Sequence, residues 1–378
     1  MTHGRGLLEA GVSRPACEAD TRRRANAKRL YALGLAVAAG CLYPTFRDAD
    51  LGRAWAEVAR LGPVVLLAFV PYGVSLALDG HAWSRLLAAM GRRAEAWKLF
   101  CLRAGAESLA LSLPAGALLA ETMKPVLLRS RCGVPLSEGV SVIAVRKVLI
   151  LLGHGLYLAV GLALGASFLS RSSARAPGGG VLPWAVAGVA VVLACVALGS
   201  GWVMAGGLAG RLGRWLLRLP HAAVRGWVER RRVDLDRADG ALGRVLVPGR
   251  LVAPALLYLG MWLAESVEAY LLLRLLGFDV TFGDAVALEA VMSVLRALVF
   301  FIPAGLGVQD AGYAAFLAGP GGPDALHAVA AFVLLKRARE LCWMGVGYVL
   351  LVLQARARGQ RLEASPLGGE VPGSGLTA

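Results

Sequence analysis

Two carboxylates and two basic pairs recur at matching distances from a repeated tripeptide. Pro114-Ala115-Gly116 and Pro303-Ala304-Gly305 each interrupt a long apolar stretch. Glu121 follows the first proline by seven residues, and Asp310 follows the second by seven. Lys147, preceded by Arg146, and Lys336, followed by Arg337, each stand thirty-three residues after their proline. Proline ends a helical half and glycine permits the turn. The next half-helix then starts inside the apolar stretch, with unpaired N–H groups and the positive end of its dipole exposed. Such an end suits an anion, a phosphate for example. Arg146, Lys147, Lys336 and Arg337 would add positive charge around it. Glu121 and Asp310 could pair with these cations, take up a proton or hold an amine. The plain alternative is that each tripeptide is only a kink.

Other charges fall within apolar segments: Glu107, Glu265, Glu268, Arg274, Arg296, Arg339 and Glu340. A charge at the centre of a membrane helix costs about 2.5–3.5 kcal/mol on insertion scales. These groups must therefore face one another or a wet cavity. Glu265 and Glu268 are three residues apart and share a helical face. For each residue, a structural ion pair and a part in a site both stay open.

The elements that position them follow from composition. The chain of 378 residues is 57% hydrophobic and 17% charged, with a mean hydropathy of +0.62. Apolar runs of spanning length recur, as in a polytopic membrane protein. They take up nearly all the length, leaving no stretch for a soluble catalytic domain of usual size. The formal charge is +15, and 35 of the 40 basic residues are arginine. In a membrane protein such an excess reflects orientation, because basic residues collect on cytoplasmic loops; no nucleic-acid-binding module is recognisable, and no nucleic-acid partner is expected. The six cysteines lack metal-ligand spacing and there is no P-loop, so neither a metal, a cofactor nor ATP hydrolysis is expected.

Residues 1–29 read as a basic cytoplasmic tail, 30–355 as the membrane domain and 356–378 as a disordered tail. Full spans are expected at about 30–46, 61–79, 139–168, 181–207, 251–277 and 327–354, the first an uncleaved helix and not a signal peptide. Let residues 99–130 and 285–318 each form a re-entrant hairpin that enters and leaves on one side. With the N-terminus inside, 208–250, which holds ten arginines, and the C-terminus also fall inside. The outer loops are then 47–60, 170–180, 277–284 and 319–326, and the last two hold no Lys or Arg. Three spans between the hairpins invert the second relative to the first, an inverted repeat. The competing arrangement, with both broken segments crossing fully, would put Lys124, Arg129 and Arg131 outside. Within the basic region, 208–232 interleaves Arg211, Arg214 and Arg218 with Leu212, Trp215, Leu216 and Leu219, a spacing that suits an interfacial helix.

Residues 113–131, from Leu113 through Pro114, Gly116, Glu121 and Lys124 to Arg131, resemble the first signature of the lysylphosphatidylglycerol synthase transmembrane-region family. Residues 300–313, with Pro303, Gly305, Gly307 and Asp310, resemble its second. Trp262 to Glu268 is similar to the hopanoid-associated HpnL branch. The resemblance implies a flippase-like module of a bacterial inner membrane that handles phospholipids or hopanoid-related lipids, with both termini cytoplasmic. Larger members join this module to an aminoacyl-transferase domain. The sequence reads as ending about 25 residues after its last span, so no such domain, and no enzyme activity, is expected here. Asp310 departs from the family's usual Glu. Membrane lipids, and enzymes of lipid synthesis, are the implied partners.

The expected fold is therefore an all-α bundle of six spans and two inverted hairpins that binds or moves an amphipathic lipid. Pro114, Gly116, Glu121, Lys124, Arg146, Lys147, Glu265, Glu268, Arg296, Pro303, Gly305, Gly307, Asp310, Lys336 and Arg337 form its candidate site. An ion-coupled permease for a small polar solute, a scaffold for lipid-synthesis enzymes, and a transferase using Asp234, Asp236 and Asp239 are the competing classes.

Overall fold

The structure, a computed structural model, describes residues 36–43, 46–47, 49–112, 116–175, 180–218, 221–299, 302, 305–318 and 322–363. Among the described residues the fold is all-α, without strands. The regular elements are α1 (Leu51–Leu61), a 3-10 segment (Gly62–Phe69), α2 (Val70–Ala89), α3 (Ala96–Ser112), α4 (Gly116–Cys132), α5 (Leu136–Leu164), α6 (Ala166–Arg175) and α7 (Val181–Ala205). They continue as α8 (Leu208–Leu216), α9 (Ala222–Val245), α10 (Pro248–Leu275), α11 (Phe282–Leu298), α12 (Val308–Leu317) and α13 (Gly322–Glu363). Residues 36–43 are also helical.

Four helical stretches are long and apolar enough to cross a membrane: Leu51–Ala89, Leu136–Leu164, Val181–Ala205 and Pro248–Leu275. At a rise of 1.5 Å per residue, the 25 residues of the shortest exceed the roughly 30 Å of a hydrocarbon core. The chain is thus a helical, multi-pass membrane protein. The last three correspond closely to the spans expected from the sequence. Of the expected span at 30–46, residues 36–43 and 46 are described, and they are helical. The one at 327–354 sits inside α13, whose Lys336, Arg337, Arg339 and Glu340 interrupt its apolar character.

Several expected loops are helical instead. Residues 47–60, an outer loop on the sequence reading, hold α1, whose first turn is capped by Asp50 accepting from the Arg53 amide at 3.1 Å. The span expected to end at Asp79 runs on to Ala89, because the buried Trp83, Leu86 and Leu87 continue its inward face beyond the charge. The loop at 170–180 is partly α6. The basic segment 208–250 folds into α8 and α9, helical where the spacing of 208–232 expects a helix and onward to Val245. Helix α13 extends to Glu363, into the tail expected to be disordered.

The two broken segments become helix pairs: α3 with α4, and α11 with α12. A Cβ added at Gly116 would lie 2.5 Å from the Leu109 carbonyl oxygen, so the first pair folds back closely. Pro114, Ala115, Pro303 and Ala304 themselves lie outside the described residues. The helices before the two pairs, α2 and α10, pack on each other; α3 packs on α13, and α11 packs on α5. Exchanging first-half for second-half elements turns the α3–α13 contact into α11–α5 and leaves α2–α10 unchanged. Contacts that survive this exchange are what a two-fold relation between halves produces.

One core cluster joins Trp83, Leu86 and Leu87 of α2 to Leu99 and Leu102 of α3, Val145 and Leu149 of α5 and Tyr258 of α10. Its second-half counterpart gathers Leu272 and Leu273 of α10, Met292 of α11, Tyr313 of α12 and Phe332 of α13. The α3–α13 seam is close: a Cβ at Gly347 would collide with Ser108 Oγ and with the Ala104 carbonyl oxygen. Ser108 Oγ donates there to the Met344 carbonyl at 2.9 Å. Overpacking of this kind costs roughly 1–3 kcal/mol. Gly347→Ala should therefore lower the unfolding temperature of the detergent-solubilised protein. Gly345→Ala, on the same helix with nothing within 4 Å, should leave it unchanged or raise it. Equal losses for both would contradict the packing.

Candidate functional site

A cavity of about 330 Å³ opens between the halves. Both tripeptide breaks reach it: Gly116 lines it from the first, and Ile302 and Gly305 line it from the second. Its charged lining comes from six helices: Asp79 of α2, Arg103 and Glu107 of α3, Glu121 and Lys124 of α4, Arg146 and Lys147 of α5, Glu265 of α10, and Arg296 of α11. Five cations thus face four carboxylates. Tyr72, Met261 and Trp262 complete part of the wall.

Asp79, fully buried, organises the deep end. Arg146 grips it through two hydrogen bonds, Nε to Oδ1 at 3.0 Å and Nη2 to Oδ2 at 2.5 Å. Arg103 Nε donates to the same carboxylate and reaches Glu107 with Nη1. The Tyr72 hydroxyl donates to Glu107 at 2.8 Å. Such two-pronged pairing fixes both the charge and the angle of the guanidinium. Nearer the break, Glu121 Oε1 collects Lys124 at 2.5 Å, Lys147 at 2.9 Å and Arg146 at 3.7 Å.

The second-half wall is looser. Arg296 stands 3.6 Å from Glu265, and Ser75 Oγ donates to Glu265 at 3.4 Å. Lys147 and Arg296 are 49% and 38% exposed at their side chains, against 2% for Arg146. These two cations can turn toward a ligand; Arg146 cannot without abandoning Asp79. Glu121 Oε2, Arg146 Nη1 and Trp262 Nε1, all on lining residues, make no hydrogen bond among the described residues. Buried polar atoms left so are costly, and a phosphate or an amine has the groups to partner them.

The remaining expected site residues gather elsewhere. Lys336 lies between Glu289 at 3.0 Å and Glu268 at 3.4 Å, and Arg339 adds a contact to Glu268 at 3.2 Å. Arg337 joins Asp310 at 2.5 Å to Glu340 at 2.7 Å. Asp310 in turn accepts from the Gly307 amide at 2.9 Å. Gly307 has a φ of 78°, a conformation that suits glycine at the start of α12. The sequence reading aims this helix start at a ligand anion; the carboxylate of Asp310 occupies it instead. Lys336, Arg337, Glu268, Gly307 and Asp310 therefore form a neighbouring, internally paired network and do not line the cavity. The Arg339 guanidinium stacks 4.0 Å from the centre of the Tyr72 ring, and through Tyr72 the two networks meet.

Asp79, Arg103, Tyr72 and Glu289 are not among the residues expected from the sequence. Hydropathy places Asp79 at the end of a span, although the apolar Trp83-Ser84-Arg85-Leu86-Leu87 beyond it already hints at continuation. Two acids of the basic region are used locally. Asp239 accepts from the Ala209 and Gly210 amides at 2.9 and 2.7 Å, and Asp234 lies 3.9 Å from Arg237.

Removing one member of a buried ion pair costs about 3–5 kcal/mol because its partner is stranded. Asp79→Ala strands two arginines, so it should unfold well below the wild-type temperature. Adding Arg146→Met should recover part of the loss. A wild-type melt for Asp79→Ala would show that this carboxylate is not the anchor of the network.

No curated protein matches the chain. The sequence profile of the lysylphosphatidylglycerol synthase TM region matches residues 31–345, which include every element that builds the cavity. The chain therefore belongs to the lysylphosphatidylglycerol synthase transmembrane-region family.

Proposed function

We propose that this protein binds the headgroup of an amphipathic lipid in the central cavity and carries it between leaflets, without hydrolysing a nucleotide itself. Family membership supports a lipid-related role in the membrane. The observation that carries the reading further is the cavity lined by both chain breaks, with five cations against four carboxylates. A phosphate fits that surplus of positive charge. Lys147 and Arg296 are its natural partners, since each is only partly buried and each can exchange a carboxylate for a phosphate oxygen. Glu121 and Glu265, released by that exchange, can then take the amine of a zwitterionic headgroup or a proton. On this reading the helix pairs α3–α4 and α11–α12 are re-entrant hairpins in opposite orientation. Non-helical backbone at membrane depth is tolerated where it lines a cavity, and Gly116 and Gly305, beside the two tripeptide prolines, line this one. The arginine-rich α8 and α9 then belong on the cytoplasmic side of a bacterial inner membrane, where enzymes of lipid synthesis would deliver or collect the lipid. Phospholipids and hopanoid-related lipids are the first substrates to try.

The test is reconstitution into liposomes with fluorescent phospholipids and a labelled hopanoid, followed by transbilayer exchange. Lys147→Ala and Arg296→Ala should each slow the transported lipid at least tenfold. Arg60→Ala, on the exposed side of α1, should match wild type. Wild-type rates for both cavity variants with every lipid would overturn the assignment.

A further inference from the structure

A second concavity lies on the outside of the bundle, between α5, α7 and α10. It measures about 380 Å³ and is lined by Val145, Val148, Leu149, Leu152, Ala197, Leu198, Gly201, Trp202, Ala205, Leu246, Pro248, Leu251, Val252 and Ala255. That volume lies within the roughly 300–1,000 Å³ of small-molecule sites, yet among the described residues no charged side chain and no hydroxyl line it. Along α7 the lining runs from Ala197 to Ala205, about 12 Å at 1.5 Å per residue. Helix α7 is among the least buried of the spanning helices, so the groove opens toward lipid.

The end of the groove at Ala205 and Pro248 is chemically different. Gly206 follows Ala205, and a Cβ there would lie 2.7 Å from the Arg211 guanidinium, which therefore covers the end of α7. Arg250, two residues beyond Pro248, donates to the Arg244 carbonyl at 2.9 Å and stays exposed. Arg214 and Arg244 are exposed nearby in sequence. Exposed Trp202, three residues before Ala205, and exposed Trp215 on α8 are aromatic side chains of the kind that settle at a membrane–water boundary. Helix α8 exposes Leu212 and Trp215 together with Arg211 and Arg214, the composition of a helix lying in the headgroup layer. Asp239 is turned onto the Ala209 and Gly210 amides at the start of α8, ahead of Arg211.

An acyl chain and an anionic headgroup are therefore accommodated side by side: a dry groove for one, guanidinium groups at interfacial height for the other. We propose that this groove holds a resident anionic glycerophospholipid from the leaflet that faces α8, with one acyl chain along α7 and its phosphate on Arg211 and Arg250. The site is separate from the charged cavity and does not depend on what the cavity carries. Bulk lipid would cover any exposed apolar face, but only a shaped groove with basic residues at its mouth distinguishes an anionic lipid from a neutral one.

The experiment uses the full-length protein in phosphatidylcholine nanodiscs containing a small fraction of phosphatidylglycerol with a photoactivatable acyl chain. Peptide mapping should find the label concentrated on residues 145–152, 197–205 and 246–255. Gly201→Leu should lower that labelling at least fivefold; the first added carbon is accommodated, 3.7 Å from Val148 Cγ1, and the rest fills the groove. Leu198→Trp provides a second blocking variant. Arg211→Gln combined with Arg250→Gln should remove the preference for phosphatidylglycerol over an equally labelled phosphatidylcholine. Three outcomes would overturn the proposal: labelling no denser here than around exposed Val191 or Leu353, equal labelling by both lipids in the wild type, or cross-links across the groove to a second copy of the chain. Because the readout is labelling at the groove, loss of transport through the cavity leaves it unaffected, and the two sites are tested independently.

Discussion

The constraint on which this fold depends is that a charge inside the bilayer must be neutralised by another charge within reach. Water cannot do so there, and the attraction between partners strengthens as the local dielectric falls. The chain meets the constraint with bonds between distant helices. Asp79 of α2 draws in Arg103 of α3 and Arg146 of α5. Glu268 of α10 draws in Lys336 and Arg339 of α13. Each partnership fixes the rotation and height of its helices, because sliding one by a turn would strand both groups. Replacing such pairs by apolar residues would cost little or even stabilise. Their abundance is therefore better explained by what the interior must contact than by stability alone.

The two halves solve the same problem with the residue types exchanged. In the first half the leading member of the basic pair, Arg146, points to the deep carboxylate Asp79, while the trailing Lys147 meets the hairpin acid Glu121. In the second half the leading Lys336 points to the deep acids Glu268 and Glu289, while the trailing Arg337 meets the hairpin acid Asp310. Position decides the role, and arginine and lysine trade places. The geometry accounts for the trade. Asp79 is a short carboxylate and is gripped in a fork by a planar guanidinium, whereas two separate glutamates suit the compact ammonium of Lys336. Asp310, also short and already committed to the Gly307 amide, needs the longer reach of Arg337.

This pairing explains what can be read from the sequence. The helical class, the family and three of the spans follow from apolar run length and local motifs, properties of the chain itself. The repeat is visible because two tripeptides and two basic pairs keep their spacing. Asp79 is not, since hydropathy ends a span at a charge and cannot see that Arg146, sixty-seven residues later, cancels it. The same rule overlooks Glu289, and it cannot show that the cations of α13 are matched by acids of α10, α11 and α12. The interleaved arginines and leucines of 208–232 already read as a helix, and α8 and α9 are helical there and onward to Val245. What the sequence lacks in each case is the identity of the partner across space.

The halves share a plan but differ in how far it is closed. In the second half each cation of the basic pair has a carboxylate partner, and the start of α12 is occupied by the carboxylate of Asp310. In the first half both cations of the basic pair are likewise matched to carboxylates, but Gly116, at the start of α4, lines the cavity. Tyr72 is where the two sides can sense each other. Its hydroxyl serves Glu107 on the cavity wall, while its ring carries Arg339 of the closed network. If a ligand anion were to draw Arg103 from Glu107, the Tyr72 hydroxyl would be left as that carboxylate's remaining hydrogen-bond donor. Any resulting shift of the ring would move the surface on which Arg339 rests. Tyr72 is thus one point of contact between the cavity wall and the neighbouring network, alongside the facing charges of Arg296 and Glu289.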